Sequence, residues 1–280
     1  MSGASKDEAV GPQLPFIVEP EQLHSVLDAP WLRVVDLSKA SVHGDFHIPG
    51  ALFLEYNELV RSRQPTHGLL PPLAQLAQSL AKLALEGHWV VAYDDEGGGK
   101  AGRLIWTLHL LGFRRVSLLN GGLHAWANER YRLERVIHQP PPVPFQGVLE
   151  ERFIADADFI HAHLGEPGYC WVDARSLAEY RGEQRLAARA GHIPGAIHWD
   201  WLEVMDQQRS LRLRPEAELR QALQERGIDP QAEVVTYCQT HHRSSLLYVV
   251  LHALGLERVR GYPGSWSDWG NRLDLPVEEG

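Results

Sequence analysis

Residues Val234 to Gly255 read Val-Val-Thr-Tyr-Cys-Gln-Thr-His-His-Arg-Ser-Ser-Leu-Leu-Tyr-Val-Val-Leu-His-Ala-Leu-Gly. A β-branched and aromatic run comes first, a cysteine and five polar residues follow, and an apolar segment opened by two serines ends the stretch. This order predicts a strand, a loop and a helix, with Cys238 at the end of the strand. Loop N–H groups and a helix N-terminus favour a thiolate over a thiol. The stretch therefore predicts an α/β fold with a reactive cysteine in an anion cradle.

The same landmarks occur twice along the chain of 280 residues. His-Ile-Pro-Gly-Ala stands at 47–51 and again at 192–196, and the run at 90–94 matches that at 234–238. Such a repeat predicts two copies of one fold. We therefore predict two tandem domains, residues 14–135 and 151–275, each a mainly parallel sheet flanked by helices. A proline-rich segment, 136–150, predicts an extended linker between them.

The repeat also helps to distinguish structural residues from functional ones. Features present in both halves are expected to be structural, and features present in one half are candidates for function. His-Ile-Pro-Gly-Ala is shared, so we interpret it as a turn whose histidine is satisfied locally. The loop after the fourth strand differs: residues 94–100 carry three carboxylates where the second half has a thiol and an arginine. A carboxylate is not a sulfur nucleophile, and acidic side chains repel an anionic substrate. The first domain is predicted to be catalytically silent and to form one wall of the cleft.

Two residues of the second loop carry the predicted chemistry. Cys238 is the predicted nucleophile, and the alternative is a small buried hydrophobic side chain. Arg243, five residues later, is predicted to stabilise the thiolate and bind an oxyanion, and the alternative is an outward surface arginine. The other cysteine, Cys170, lies among apolar residues at a strand start and is interpreted as structural.

Arg175 stands where the first half has Leu37, so it is a candidate for binding an anion at the mouth of the pocket. The alternative interpretation is a salt bridge from Arg175 to Glu179 or Glu183. The sequence leaves both open.

The four residues between Cys238 and Arg243 are counted as substrate-binding: Gln239, Thr240, His241 and His242. The backbone N–H groups of the two histidines are expected to line the cradle, with their rings pointing outward or placing partial positive charge at the rim. A metal site is not expected here, because one cysteine and two sequential histidines on a tight loop cannot easily converge on one ion.

Composition excludes several classes of protein. The formal charge of −9 comes from interspersed acids and the chain has no basic run, so nucleic acid is not an expected partner. The chain lacks an apolar stretch of about 20 residues, and Met1 to Pro12 lacks a signal-peptide run, so no membrane association is expected. Two cysteines cannot build a disulfide framework. We expect a cytoplasmic monomer.

Taken together, these motifs resemble the tandem-domain rhodaneses, the thiosulfate sulfurtransferases. The resemblance covers nearly the whole chain: Asp at the cysteine position of the first loop, Val-Asp-Ala-Arg opening the second half, His-Ile-Pro-Gly-Ala twice, and Gly-Ser-Trp-x-Asp-Trp near the end. The loop Cys-Gln-Thr-His-His-Arg-Ser is similar to that of a bacterial subgroup.

The resemblance implies that a Cys238 thiolate takes the outer sulfur of thiosulfate, releases sulfite and passes the sulfur to cyanide or another thiophile such as a thiol. It implies no metal and no organic cofactor. Two departures stand out, since Glu179 replaces an arginine of well-known members and the loop has no lysine. Thiosulfate binding is therefore expected to rest on Arg243, together with Arg175 or Arg185.

Three other functions compete with this one. By resemblance, the same fold hosts phosphatases with a Cys-x5-Arg loop, but the loop here is Cys-x4-Arg, which favours sulfur over phosphate. Mercaptopyruvate sulfurtransferases resemble the chain but use small loop residues, unlike Gln239, His241 and His242. A persulfide carrier that donates to a biosynthetic partner would use the same Cys238 and differ only in the acceptor.

Overall fold

The computed structural model describes residues 13–280, so the predicted absence of a signal peptide in Met1 to Pro12 concerns residues outside the described part. The strands of the first half are β1 (Ile17–Val18), β2 (Leu32–Asp36), β3 (Leu52–Phe53), β4 (Arg61–Arg63), β5 (Thr66–Leu69), β6 (Trp89–Tyr93) and β7 (Val116–Leu119). Its helices are α1 (Pro20–Ser25), α2 (Ala40–Asp45), α3 (Leu73–Ala81), α4 (Gly99–Leu110) and α5 (Gly122–Asn128).

The second half repeats this alternation of strands and helices. Its strands are β8 (Tyr169–Asp173), β9 (Ile197–His198), β10 (Met205–Asp206), β11 (Arg212–Leu213), β12 (Glu233–Tyr237) and β13 (Val259–Gly261). Its helices are α6 (Ala157–Ala162), α7 (Leu177–Tyr180), α8 (Glu216–Glu225), α9 (Arg243–Ala253) and α10 (Ser265–Trp269).

Each half is built on a parallel sheet. The first has the strand order β1-β7-β6-β2-β3 and the second β13-β12-β8-β9, with every pair parallel. Ile154 adds a parallel bridge to Gly261 beside β13, where the first sheet has β1. The strands β6 and β12 are buried along their whole length, in keeping with the Val-Val pair and the buried tyrosine that both contain. The predicted α/β class is confirmed.

The helix after Cys238 begins earlier than the sequence predicts. It starts at Arg243, with His242 as the residue before it, so Ser244 and Ser245 lie inside the first turn. Ser245 Oγ donates to the carbonyl oxygen of His241 within that turn. The two serines, which open the apolar segment in the sequence, therefore lie inside the helix and do not cap it.

The two halves pack through α4 and α9, the helices that follow the two equivalent loops. A Cβ atom on Gly102 of α4 would lie 2.8 Å from the carbonyl oxygen of Ser245 in α9. One buried cluster contains residues of both helices, among them Trp106 and Tyr248. Because α4 and α9 touch at their first turns, the loops before them are brought together.

The antiparallel hairpin β4–β5 of the first half covers the last helix of the second half. The His67 backbone N–H donates to Ser267 Oγ at 2.9 Å. A Cβ atom on Gly68, whose φ is +77°, would lie 2.1 Å from the carbonyl oxygen of Thr240. The first half therefore forms a wall directly against the cysteine loop.

The segment 137–150 between the halves contains no helix or strand, in keeping with its prolines. It runs along the first half, with Phe145 buried and the Val148 N–H donating to the Leu111 carbonyl at 3.1 Å. Within residues 13–280, none of the helices has both the length and the apolar composition needed to cross a membrane.

Candidate active site

Cys238 lies at the carboxyl end of β12, where a parallel sheet places its ligands. Its side chain is buried, with the residue 1% exposed. The Ser265 hydroxyl accepts a hydrogen bond from the Cys238 N–H at 3.2 Å, and the Trp266 N–H donates to the Cys238 carbonyl at 2.9 Å. The start of α10 therefore fixes the backbone on which the thiol is carried.

The sulfur lies in a cradle of hydrogen-bond donors. The backbone N–H groups of Thr240 and Ser244 and the Ser244 hydroxyl point at it. Burial alone would raise the pKa of the Cys238 thiol, but the charge of Arg243 and these donors outweigh it and lower the pKa. The arrangement favours a thiolate in a site that solvent barely reaches.

The equivalent cradle of the first half is filled by a side chain of its own. Asp94, which is fully buried, accepts from the N–H groups of Glu96 at 3.0 Å, Gly98 at 2.8 Å and Ala101 at 2.9 Å. Counted from Asp94, its N–H donors lie two, four and seven residues later in the chain. Counted from Cys238, the N–H donors to its sulfur lie two and six residues later, in a loop that is one residue shorter. The two loops thus present similar N–H groups, one set to a carboxylate and the other to a thiolate.

Arg243 is held in place by Glu179. Its two terminal nitrogens donate to the two carboxylate oxygens at 2.6 Å and 2.8 Å. Glu179 also accepts from Ser176 in the capping box of α7, which fixes the carboxylate in turn. Burial opposes ionisation of Glu179, but the hydrogen bonds and charge of Arg243 lower its pKa overall. Arg243 therefore acts on the sulfur through its charge, which Glu179 holds in place and partly compensates.

Arg175 lies in a different environment from the predicted one. It is 1% exposed, and its guanidinium donates to both carboxylate oxygens of Asp173 and to the Gly191 carbonyl. Its central carbon lies 4.5 Å from the centroid of the Trp266 ring. With its donors used in this way, Arg175 occupies a structural position, which supports neither binding at the pocket mouth nor the alternative bridge to Glu179 or Glu183.

Arg185, the other arginine considered for the substrate, is exposed and donates to the carbonyls of Ala187 and Ala188. Gln239 turns toward the same segment, with its amide nitrogen 3.1 Å from the Leu186 carbonyl oxygen. Thr240 contributes its backbone N–H to the cradle and packs against Gly68. Of these residues, Thr240 is the one that the structure brings to the sulfur.

The ring of His241 does not point outward as predicted. The residue is fully buried, has φ of +54° and packs edge-on against Trp106 with ring centroids 4.6 Å apart. Its Nδ1 lies 2.7 Å from Ser244 Oγ. Burial, followed by the charge of Arg103, holds the pKa of His241 well below its usual value, so the ring is neutral. A neutral ring that donates through Nδ1 leaves the Ser244 hydroxyl hydrogen free for the sulfur.

His242 points across to the first half. Its Nε2 contacts a carboxylate oxygen of Glu96, and its ring lies between those of Tyr56 and Trp201 at centroid distances of 5.4 Å and 5.9 Å. Burial lowers the pKa of His242, but the hydrogen bond and charge of Glu96 raise it overall. An acid of the equivalent loop in the first half thereby supports positive charge beside the cysteine loop.

Arg103, in α4, is a second contribution of the first half. It is fully buried and donates to the carbonyls of His241 at 3.4 Å, Leu59 at 3.2 Å and Gly68 at 2.8 Å. Burial lowers the pKa of Arg103 to about 10, which leaves it charged at neutral pH. N–H groups can face the sulfur only if loop carbonyls point away from it, and Arg103 provides a donor to one such carbonyl.

The sequence interpretation did not identify Glu179, Glu96, Arg103 or Ser244 as parts of the site. The Ser-x-x-Glu pattern at 176–179 is visible as a capping box, but its reach to Arg243 depends on tertiary structure. Glu96 stands in the loop equivalent to the cysteine loop, and that equivalence was a usable signal. No sequence pattern indicates that Arg103 is buried beside the other half.

Comparison with known proteins places this geometry in context. A model of the rhodanese-like domain matches residues 19–129 and 156–272. A thiosulfate sulfurtransferase of Azotobacter vinelandii is 46% identical over 266 residues, covering 95% of this chain and 97% of the relative. A thiosulfate sulfurtransferase of Pseudomonas aeruginosa is 44% identical over 269 residues, with 95% and 97% covered.

Among solved structures, that of a 3-mercaptopyruvate sulfotransferase from Escherichia coli superposes with a TM-score of 0.79. It is 24% identical and covers 90% of this chain and 99% of its own. At this identity the likeness concerns the fold alone.

Proposed function

The chain belongs to the family of rhodanese-like domain proteins, and from that membership we propose that it is a thiosulfate sulfurtransferase whose nucleophile is Cys238. The family assignment confirms the resemblance to tandem rhodaneses. The observation that carries the site assignment is the N–H cradle around a buried cysteine whose thiolate is favoured.

In the first half of the reaction the Cys238 thiolate attacks the outer sulfur of thiosulfate. A new S–S bond forms to the cysteine, the S–S bond of thiosulfate breaks, and sulfite leaves with its electron pair. In the second half cyanide attacks the terminal sulfur of the persulfide, forms thiocyanate and returns the thiolate. This chemistry requires stabilisation of sulfur anions rather than proton transfer, and the Thr240 and Ser244 N–H groups and the Arg243 charge provide it.

We assign no such reaction to the first domain, for which we keep the boundaries 14–135, with 136–150 as linker and 151–275 as the catalytic domain. The N–H groups of its cradle are occupied by the Asp94 carboxylate, which leaves no room for a substrate anion. Its contribution is to support the cysteine loop through Arg103, Glu96 and Gly68.

The physiological acceptor is a separate matter. Cyanide, another thiophile and a partner protein that receives the sulfur for biosynthesis would all use the Cys238 persulfide. Mercaptopyruvate as donor would need a cationic group for its carboxylate, and the guanidinium of Arg175 is bound to Asp173 instead. Both relatives compared above are thiosulfate sulfurtransferases, so thiosulfate remains the proposed donor. The monomeric state and the cytoplasmic location stay predictions.

The proposal is tested by intact-mass analysis after incubation with thiosulfate. We expect the wild type to gain the mass of one sulfur atom at Cys238, to lose it on addition of cyanide and to release thiocyanate. Cys238→Ala should neither gain the sulfur atom nor release thiocyanate. Cys170→Ala, at the other free cysteine, is the matched control and should behave as the wild type.

Two results would count against this assignment. Sulfur transfer that survives in Cys238→Ala would place the chemistry elsewhere, and Cys170 is the thiol that such a variant retains. Hydrolysis of an aryl phosphate through Cys238, with no gain of sulfur, would make the protein a phosphatase.

A further inference from the structure

A contact between a histidine and a glutamate recurs in both halves of the chain. His47 and Glu134 form an antiparallel bridge, as do His192 and Glu278. The distance from histidine Nε2 to the carboxylate is 4.0 Å in the first pair and 3.8 Å in the second. In each half the glutamate also accepts an N–H from the glycine of the shared turn. The pair itself is therefore scaffold.

The first half adds a third group to this pair. Nε2 of His138 lies 2.7 Å from Oε1 of Glu134, and the donor atoms of His47, Glu134 and His138 all lie within 4.8 Å of one another. Within residues 13–280, His192 and Glu278 have no third histidine, cysteine or carboxylate at this distance. His138 thus distinguishes the first pair from its equivalent, as Cys238 distinguishes the second loop.

Both ring nitrogens of His47 lie near oxygen atoms. Its Nδ1 lies 2.7 Å from the His43 carbonyl, which can only accept, so Nδ1 carries a proton whether or not Nε2 does. Nε2, fully buried, then has the Val136 carbonyl oxygen at 3.1 Å and the Glu134 carboxylate at 4.0 Å. Acceptor atoms this close to one another need a cation between them, either a proton or a metal ion.

We propose that His47, Glu134 and His138 bind a divalent transition-metal ion of the zinc type, with the Val136 carbonyl oxygen as a further donor. Atoms bonded to one tetrahedral zinc ion lie about 3.3 Å apart, and the separations here range from 2.7 Å to 4.0 Å for the three measured pairs. The bond from His47 Nδ1 to a backbone carbonyl is the outer contact that orients metal-binding histidines.

The position of the donors suggests what the ion does. His47 belongs to the shared turn, whereas Glu134, Val136 and His138 lie on the segment that leaves the first domain. The ion would fasten the start of the linker to that turn, so its role is structural. The His138 side chain is 38% exposed, which gives the ion a path of entry. This site lies outside the cysteine loop, for which the sequence predicted no metal.

The test is zinc titration by calorimetry of Cys238→Ala, a parent chosen because a free thiolate would itself bind zinc. After dialysis against a chelator, we expect one ion per chain and a higher melting temperature with zinc. Adding His138→Ala should weaken binding by at least about tenfold and abolish the rise in melting temperature. His161→Ala, at an exposed histidine of the second half, is the control that should leave both unchanged.

Cobalt(II) provides a second readout, since nitrogen and oxygen ligands at a tetrahedral site give it strong visible absorption. His138→Gln, which keeps side-chain volume, should lose that absorption without loss of helical circular dichroism. Equal zinc affinity with and without His138, or no uptake by the parent, would overturn the proposal.

Discussion

At the scale of the residue, the site depends on the balance between one cation, Arg243, and two anions, the Cys238 thiolate and the Glu179 carboxylate. The charge of Arg243 lowers the pKa of Cys238, and Arg243 is bound by Glu179, whose side chain is only 5% exposed. A buried carboxylate that loses its partner is strongly destabilising, so Arg243 has both a chemical and a structural task. A single substitution at Arg243 mixes the two effects.

A pair of variants separates them. Arg243→Ala should raise the pKa of Cys238, slow turnover of thiosulfate by roughly tenfold to a hundredfold, and lower the free energy of unfolding by about 2–3 kcal/mol. The double variant Arg243→Ala with Glu179→Gln should recover most of that stability, because the unpaired carboxylate is gone, while the thiol stays unreactive.

The measurements are urea unfolding and the pH dependence of alkylation of Cys238 by iodoacetamide. If the double variant recovered reactivity together with stability, Arg243 would have only a structural task. Thiol reactivity that Arg243→Ala leaves unchanged would show that its charge does not reach the sulfur.

At the scale of the element, the contact of α4 with α9 sets how the two loops meet. Gly102 lies in a helix and has an ordinary φ, so helix propensity alone favours alanine there by about 1 kcal/mol. Packing opposes this, because the added Cβ would lie 2.8 Å from the backbone oxygen of Ser245. A backbone atom cannot move aside as the end of a flexible side chain can.

We therefore expect Gly102→Ala to lower the free energy of unfolding and the rate of sulfur transfer, despite the better helix former. The matched control is Gly44→Ala in α2, where the new Cβ has no atom within 4 Å and stability should rise by about 0.5–1 kcal/mol. Urea titration of both variants gives the comparison, and a stabilised Gly102→Ala would mean that the helices can separate without cost.

For the strands, helices and loops around Cys238, the sequence predicts some features and not others. The strand–loop–helix order around Cys238 and the repeat were predictable, because apolar periodicity and turn residues are local properties. The position of His241 was not predictable, since it depends on a contact with the other half. The ring of His241 is buried because Trp106 covers it.

At the scale of the whole molecule, residues of both domains build the surroundings of the cysteine loop. Arg103 and Glu96 come from the first half and contact His241 and His242 of the second. These contacts join parts of the chain that are more than a hundred residues apart. The sequence comparison of the halves predicted a wall from the first domain, and it could not identify which side chains form that wall.

The contact between Glu96 of the first half and His242 of the second makes a pH-dependent contribution to the stability of the protein. Burial works against both charges, but their mutual contact prevails: the pKa of His242 is raised and that of Glu96 is lowered. The raised histidine pKa contributes stability that is complete below about pH 6.5, its unfolded value, and is lost as pH rises through the folded value. The lowered glutamate pKa contributes stability above about pH 4.3 that is lost as pH falls.

We therefore expect the stability difference between the wild type and Glu96→Gln to be largest near pH 5–6 and to shrink as pH rises past 6.5. The control is Glu58→Gln, which removes an acid paired with Lys82 and should give a difference that is flat from pH 6 to 8, because lysine does not titrate there. Urea unfolding at stepped pH measures both. A flat difference for Glu96→Gln would mean that His242 stays neutral.

The way in which the Asp94 carboxylate fills the cradle of the first half indicates how a sulfur-loaded Cys238 would fill the cradle of the second. It satisfies its three N–H donors with two oxygen atoms, Oδ1 taking two and Oδ2 one. Cys238 brings a single sulfur to a cradle of the same design, whereas a cysteine that carries an extra sulfur brings two acceptor atoms. In this respect, the loop loaded with sulfur would mimic the equivalent loop of the first half. Loading should then tighten the loop, with a higher melting temperature after thiosulfate than after cyanide, and identical melting curves would argue against the mimicry.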